Sequence, residues 1–221
     1  MSRLVDYGRY IDLISMDKYF HNIAIALHVR ESDDGHLFTL HTYSRVPGAE
    51  DRVKGVAAFM VALGGMEPVA GAPGAVRFPC GELHERGIKR MFNEVVMLDP
   101  ATPLTPKPLS VQEAKAGRTI TVDCEQVTDG GWTYLVNAQG SPEGLARRVA
   151  TITGGLLKLG DMQPVAGTED RARFSCGHDH RALVGLLLPR ALNVRAVIAA
   201  EEAEQKRGVL LAPSAQETPS V

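Results

Sequence analysis

The chain has 221 residues, 44% of them hydrophobic and 23% charged, with a net charge of -2. That length holds one or two domains and can bury a full core. A charge so near zero excludes the strong field of a general nucleic-acid or membrane-surface binder, and no apolar stretch approaches the roughly 20 residues a membrane helix needs.

The opening "MSRLVDYGRYIDLISMDKYF" interrupts its apolar residues with Asp, Arg and Lys, unlike a signal peptide. Residues 1–20 read as a helical segment. "NIAIALHVRE" then alternates apolar and polar residues, the pattern of a half-buried strand. "ESDDG" is turn-rich, so the next strand, His36–Ser44, closes a hairpin. In "GAEDRVKGVAAFMVALGG" Val53, Val56, Ala57, Met60 and Leu63 share one helical face, and Gly64–Gly65 end the helix. "PVAG", a turn and "AVRFPC" form a tight hairpin or short strand pair. "ELHERGIKRMFNEVV" places Ile88, Met91, Phe92 and Val95 on one face of a second helix. Leu98–Gly117 holds four prolines and reads as a linker, with room for a short helix at its end. The series then repeats: strands at Thr119–Val127 and Gly131–Asn137, a helix at Pro142–Leu159, a hairpin, and a helix from about Asp179. Pro189 is expected to kink or end that helix before a further helical piece at Ala191–Gln205. Residues 206–221 lack periodicity and read as a disordered tail.

The recurrence is also visible in the residues themselves. A shift of 96 aligns Arg52–Leu98 with Arg148–Val194 without a gap. "LGGMEPVAGAPGAVRFPCGELH" and "LGDMQPVAGTEDRARFSCGHDH" agree at 12 of 22 positions. We read two copies of one unit, residues 21–97 and 118–205, joined by the linker 98–117. A period of that length is too long for a solenoid and suits a duplicated small domain. Each unit runs β-β-α-β(β)-α, which makes a two-layer α+β sandwich, and two units suggest a pseudo-twofold pair. This order of elements resembles duplicated domains of the ribosomal-protein-S5-domain-2-like fold. The imidazoleglycerol-phosphate dehydratase family is of that kind and binds metal near the start of the corresponding helix. Its paired-histidine motif is absent here, so the resemblance implies a fold and not an activity.

The repeated motif Arg-Phe-x-Cys-Gly-x-x-His spans Arg77–His84 and Arg173–His180. Each cysteine ends a strand, each glycine allows a turn, and each histidine falls at a helix start. Backbone N–H groups at such a start favour a thiolate. If the two starts face each other, Cys80, His84, Cys176 and His180 converge as two sulfurs and two imidazoles, a tetrahedral zinc set, with iron or manganese as further candidates. His178 is a spare ligand or proton shuttle. Arg77 and Arg173 would hold an anion or serve the structure, although alternation turns them to the face opposite the cysteines. A metal with one position open to water would support hydrolase or lyase chemistry.

Two other readings compete. In one the motif is structural: Phe78 and Cys80 face the core, Gly81 serves the turn, and His84 caps backbone groups. The protein is then a non-enzymatic module that binds a small ligand or a protein partner between its halves. In the other, Cys80 or Cys176 is a nucleophile or redox thiol with His84 or His180 as its base, or the two form a disulfide switch.

Weaker features remain. Arg86, Lys89 and Arg90 make a basic helix patch, expected to be a solvated face. "RALVGLLLPRAL" is apolar nearly all round, so it is expected to be buried between domains or in a homodimer interface. His41 shares a strand face with Thr39 and Tyr43, and Asn137 occupies the equivalent place in the second unit. Cys124 is expected to pack, and Trp132 to lie at an edge or interface. Phosphate-loop, dinucleotide-binding, G-x-S-x-G and HExxH motifs are absent.

Overall fold

In the computed structural model, which describes residues 4–5, 23, 25–140, 142 and 144–211, the first alternating run becomes a hairpin. Strand β1 (Leu4–Val5) pairs antiparallel with β2 (Ile25–Ser32), and β2 pairs with β3 (Gly35–Thr42) from Ile25↔Thr42 to Ser32↔Gly35. Ile25, Leu27 and Val29 alternate into the core and meet Phe38 and Leu40 from the partner strand. Leu4–Val5 is thus strand within the segment expected to be helical, and the rest of that segment lies outside the described residues.

Helix α1 (Ala49–Gly64) buries Val53, Val56, Phe59, Met60 and Leu63 and stops where Gly65 turns left-handed at φ 67°. Ala57 is only partly buried; Phe59 takes its place in the core. Short strands β4 (Glu67–Pro68) and β5 (Ala75–Arg77) pair antiparallel, and α2 (Glu85–Val95) follows. The second series comprises β6 (Ser110–Glu113), a 3-10 turn at Ala114–Ala116, β7 (Arg118–Gln126) and β8 (Trp132–Gln139). Then come α3 (Leu145–Gly160), β9 (Met162–Pro164), β10 (Arg171–Phe174), α4 (Arg181–Ala191) and α5 (Val194–Leu211).

The architecture is α+β, with two five-stranded antiparallel sheets and five α-helices among the described residues. The sheet orders are β1-β2-β3-β5-β4 and β6-β7-β8-β10-β9. The expected linker ends in β6, which pairs with β7 and extends the second sheet. Helix α5 continues to Leu211, beyond the expected start of the tail, and residues 212–221 lie outside the described residues.

Pro189 does not end α4, which runs two residues further. It removes the N–H that would bond the Gly185 carbonyl, and the helix ends within one turn of it. The chain then turns by 87° into α5. No single helix among the described residues is long and apolar enough to cross a membrane.

The helices do not close each half separately. Helix α4 packs on α1, α2 and α3, and α2 packs on α3. A single apolar core therefore runs through both halves. The apolar surface of α4 (Leu183, Val184, Leu186, Leu187 and Leu188) is wholly buried inside the chain. Each such side chain contributes roughly 1.5–3 kcal/mol of burial.

Three arginines, Arg52 and Arg90 buried and Arg148 partly so, finish the joints. Arg52 donates to the carbonyls of Val96 at 2.7 Å and Leu98 at 2.6 Å, and so caps the end of α2. Arg148, 96 positions later, donates to Leu192 O at 2.9 Å at the end of α4. Arg90, expected on a solvated face, is buried. It donates to both carboxylate oxygens of Glu201 at 2.9 and 2.7 Å and to Leu159 O at 3.0 Å, tying α5 and α3 to α2.

Candidate metal centre

The two Cys-Gly turns are built alike. Gly81 has φ 75° and donates its N–H to Phe78 O at 3.0 Å; Gly177 has φ 72° and donates to Phe174 O at 3.1 Å. Their carbonyls accept the N–H groups of His36 at 2.8 Å and Trp132 at 3.0 Å, which pins each turn to the neighbouring hairpin. A side chain at Gly35 would strike Gly81 at 2.4 Å, so that approach requires glycine. The histidines then stand immediately before α2 and α4, and their carbonyls accept the first helical bonds, from Ile88 at 2.9 Å and Val184 at 3.0 Å.

Because α2 and α4 pack together, these helix starts meet. Cys80 Sγ lies 3.2 Å from His84 Nε2, and Cys176 Sγ lies 3.2 Å from His180 Nε2. Across the halves, the two Nε2 atoms are 3.1 Å apart, and Cys176 Sγ is 3.6 Å from His84 Nε2. All four ligand atoms fall within 4.8 Å of one another. A zinc tetrahedron with ordinary bond lengths has edges of about 3.3 Å between nitrogens, about 3.6 Å between nitrogen and sulfur, and about 3.8 Å between sulfurs. Four of the six separations, at 3.1–3.6 Å, sit close to those edges, and all six lie within 4.8 Å. This cluster can hold a metal ion.

Its surroundings are dry on the imidazole side. His84 and His180 are buried, and their rings, 4.5 Å apart, lie edge-on to Phe78 and Phe174 with centroids 4.8–5.5 Å away. The sulfurs are half-buried. Cys80 Sγ accepts the Glu82 N–H at 3.4 Å. Hydrogen bonding to Cys80, with further bonds from His180 and His84, holds Cys176 far below the ordinary thiol range; the reciprocal bond and burial push Cys80 up.

No protein-family model, curated protein or solved structure matches this chain. The chemistry of the cluster is therefore the argument for its role.

Of the seven site residues expected from sequence, four meet. His178 does not join them: it is exposed, with Nδ1 3.2 Å from Cys176 O. Arg77 and Arg173 stay on the outer face as alternation requires, near Glu67 at 3.7 Å and Asp129 at 3.8 Å. His41 also lies on an outer sheet face, its ring 4.7 Å from that of His28, whose Nε2 is 3.3 Å from the Tyr43 hydroxyl. Asn137 donates to Asp123 at 2.7 Å. Cys124 packs against the core, and Trp132 stacks under the Arg181 guanidinium at 5.0 Å.

Sequence reasoning missed Tyr134 and Asp179. The Tyr134 hydroxyl accepts the His180 backbone N–H at 2.5 Å and donates to Asp179 Oδ1 at 3.2 Å. Asp179 is held in turn by Arg181 N at 2.9 Å and Nε at 2.6 Å. The signal was present in the 96-residue alignment, which opposes Tyr134 to Phe38 and Asp179 to Leu83. Two apolar positions of the first segment thus stand opposite a bonded polar pair in the second.

Proposed function

We propose that the protein binds one zinc ion through Cys80, His84, Cys176 and His180, and that the metal joins two copies of a duplicated unit. The observation that carries this reading is the meeting of four lone-pair donors within 4.8 Å of one another, two from each half. Two thiolates and two imidazoles suit zinc; manganese prefers oxygen ligands. The duplication is supported by the shared strand order and by the equivalent caps of Arg52 and Arg148.

Four protein ligands complete the coordination shell and leave no position for water or substrate. The zinc is thus structural in this reading, and a hydrolase or lyase would need a ligand to leave. Bound zinc would draw the helix starts together, because its ligands come from residues 96 apart in sequence and the binding energy is available only to the folded arrangement.

Elemental analysis of untagged protein, purified without chelator, tests this beside a Cys80→Ser, Cys176→Ser double variant. The expected result is one zinc per wild-type chain and none in the variant. Metal-free wild type after growth and refolding with zinc would overturn the reading.

A further inference from the structure

We propose that the centre is a peroxide-responsive zinc switch: oxidation joins Cys80 to Cys176 and expels the metal. This rests on the zinc reading and assigns regulation to the same site.

Three observations carry it. The sulfurs lie within 4.8 Å of each other, close enough that side-chain rotation on two turns can bring them to the about 2.05 Å of a disulfide. They are half-exposed, whereas the two imidazoles are buried, so an oxidant reaches sulfur first. And access is unequal. Cys176 lines an open groove of about 690 Å3, together with Asp129, Trp132, Arg173 and His178, while Cys80 lies outside that lining.

The groove assigns the order of events. The Cys176 thiolate attacks a peroxide oxygen; an S–O bond forms, the O–O bond breaks, and hydroxide leaves to take up a proton as water. The Cys80 thiolate then attacks the Cys176 sulfur; the S–S bond forms, the S–O bond breaks, and a second hydroxide becomes water. Two thiolates lose two electrons in total, and one hydrogen peroxide is reduced to two waters. Both anionic ligands are consumed, so zinc keeps only two neutral imidazoles and leaves. The disulfide still ties the two loops together, so the switch removes metal without separating the halves.

Zinc-loaded wild type and a Cys124→Ser variant are titrated with hydrogen peroxide. Zinc is followed with a chromogenic chelator and disulfides by non-reducing peptide mass spectrometry. In both proteins we expect one zinc released per chain as a Cys80–Cys176 peptide appears, reversed by dithiothreitol plus zinc. Dimedone should label Cys176 in a Cys80→Ser variant, and label Cys80 in a Cys176→Ser variant roughly tenfold more slowly. Zinc retained under peroxide that consumes the Cys124 thiol, or sulfinic acid without the disulfide, overturns the switch and leaves the zinc reading standing. Equal labelling of the two cysteines overturns the order of attack. Absence of zinc before peroxide is added overturns the zinc reading and the switch with it.

Discussion

His84 and His180 present the same nitrogen to the same point, but their backbones reach it differently. His180 has φ -122°, and its N–H is held by the Tyr134 hydroxyl, itself fixed by Asp179 and Arg181. His84 stands at φ 44°, a left-handed conformation that costs a non-glycine residue of order 1–3 kcal/mol. Its loop has Phe38 and Leu83 where the other has Tyr134 and Asp179, so the hydroxyl that holds the His180 backbone has no counterpart at Phe38. The first loop is shaped by apolar packing and strain, the second by a polar network. Two copies of one motif can thus hold equivalent ligands while differing in what holds them. A strained ligand persists only where its surroundings over-determine it, and the tight packing of Gly35 on Gly81 supplies that constraint.

If zinc is what the two loops share, removing it should leave each loop to its own support and lower the stability of the chain. With zinc at 1,000 times its dissociation constant, binding stabilises by about 4 kcal/mol, so chelation should lower the melting temperature by roughly 8–16 °C. Calorimetry with and without a strong chelator checks this; an unchanged melting point would mean that the halves are held by their core alone.

Next in size is Arg90, which is opposed to Leu186 in the second half. Arg90→Ala leaves the partly buried Glu201 carboxylate without its partner and should cost about 3 kcal/mol in urea unfolding. The equivalent change Leu186→Ala should cost a similar 2–5 kcal/mol through a cavity, with no dependence on salt.

Tyr134→Phe makes the second loop resemble the first. It leaves the His180 N–H and Asp179 short of a partner, so we expect about 1–3 kcal/mol lost in stability. Zinc affinity should fall about tenfold in competition titrations, as for other residues that support a metal ligand. No change would show that apolar packing suffices for both loops.

The smallest effect concerns the outer faces, where His41 stands opposite Asn137 in the alignment. Burial, then the neighbouring His28, lowers the His41 pKa below its ordinary value of 6.5, against an opposing pull from Glu50. The folded chain therefore binds fewer protons there than the unfolded chain, and stability falls slightly as pH drops from 6.5. A proton NMR titration should place His41 below its ordinary value of 6.5, and His41→Gln should remove that acid-side slope.

Much of this was legible in the chain alone. Period-2 and helical periodicity marked the hairpins and the buried faces of α1 and α2, because burial of alternate or every third to fourth residue is a local requirement. The 96-residue recurrence singled out Cys80, His84, Cys176 and His180. His178, Arg77 and Arg173 shared the neighbourhood in sequence but not the site, since one residue of shift turns a side chain to another face. Arg90 looked like a solvated charge because its partner Glu201 lies 111 residues away.

The sequence by itself determined the elements, the repeated motif and the kinds of atom available for ligation, all of which follow from local backbone and side-chain preferences. Only the tertiary structure decided that the helices of the two halves share one core. That packing brings four donors, 96 residues apart in pairs, within 4.8 Å of one another. Convergence depends on how α2 meets α4, and such a contact is the sum of many weak apolar interactions distributed over the whole chain, with no local signature for a sequence to display.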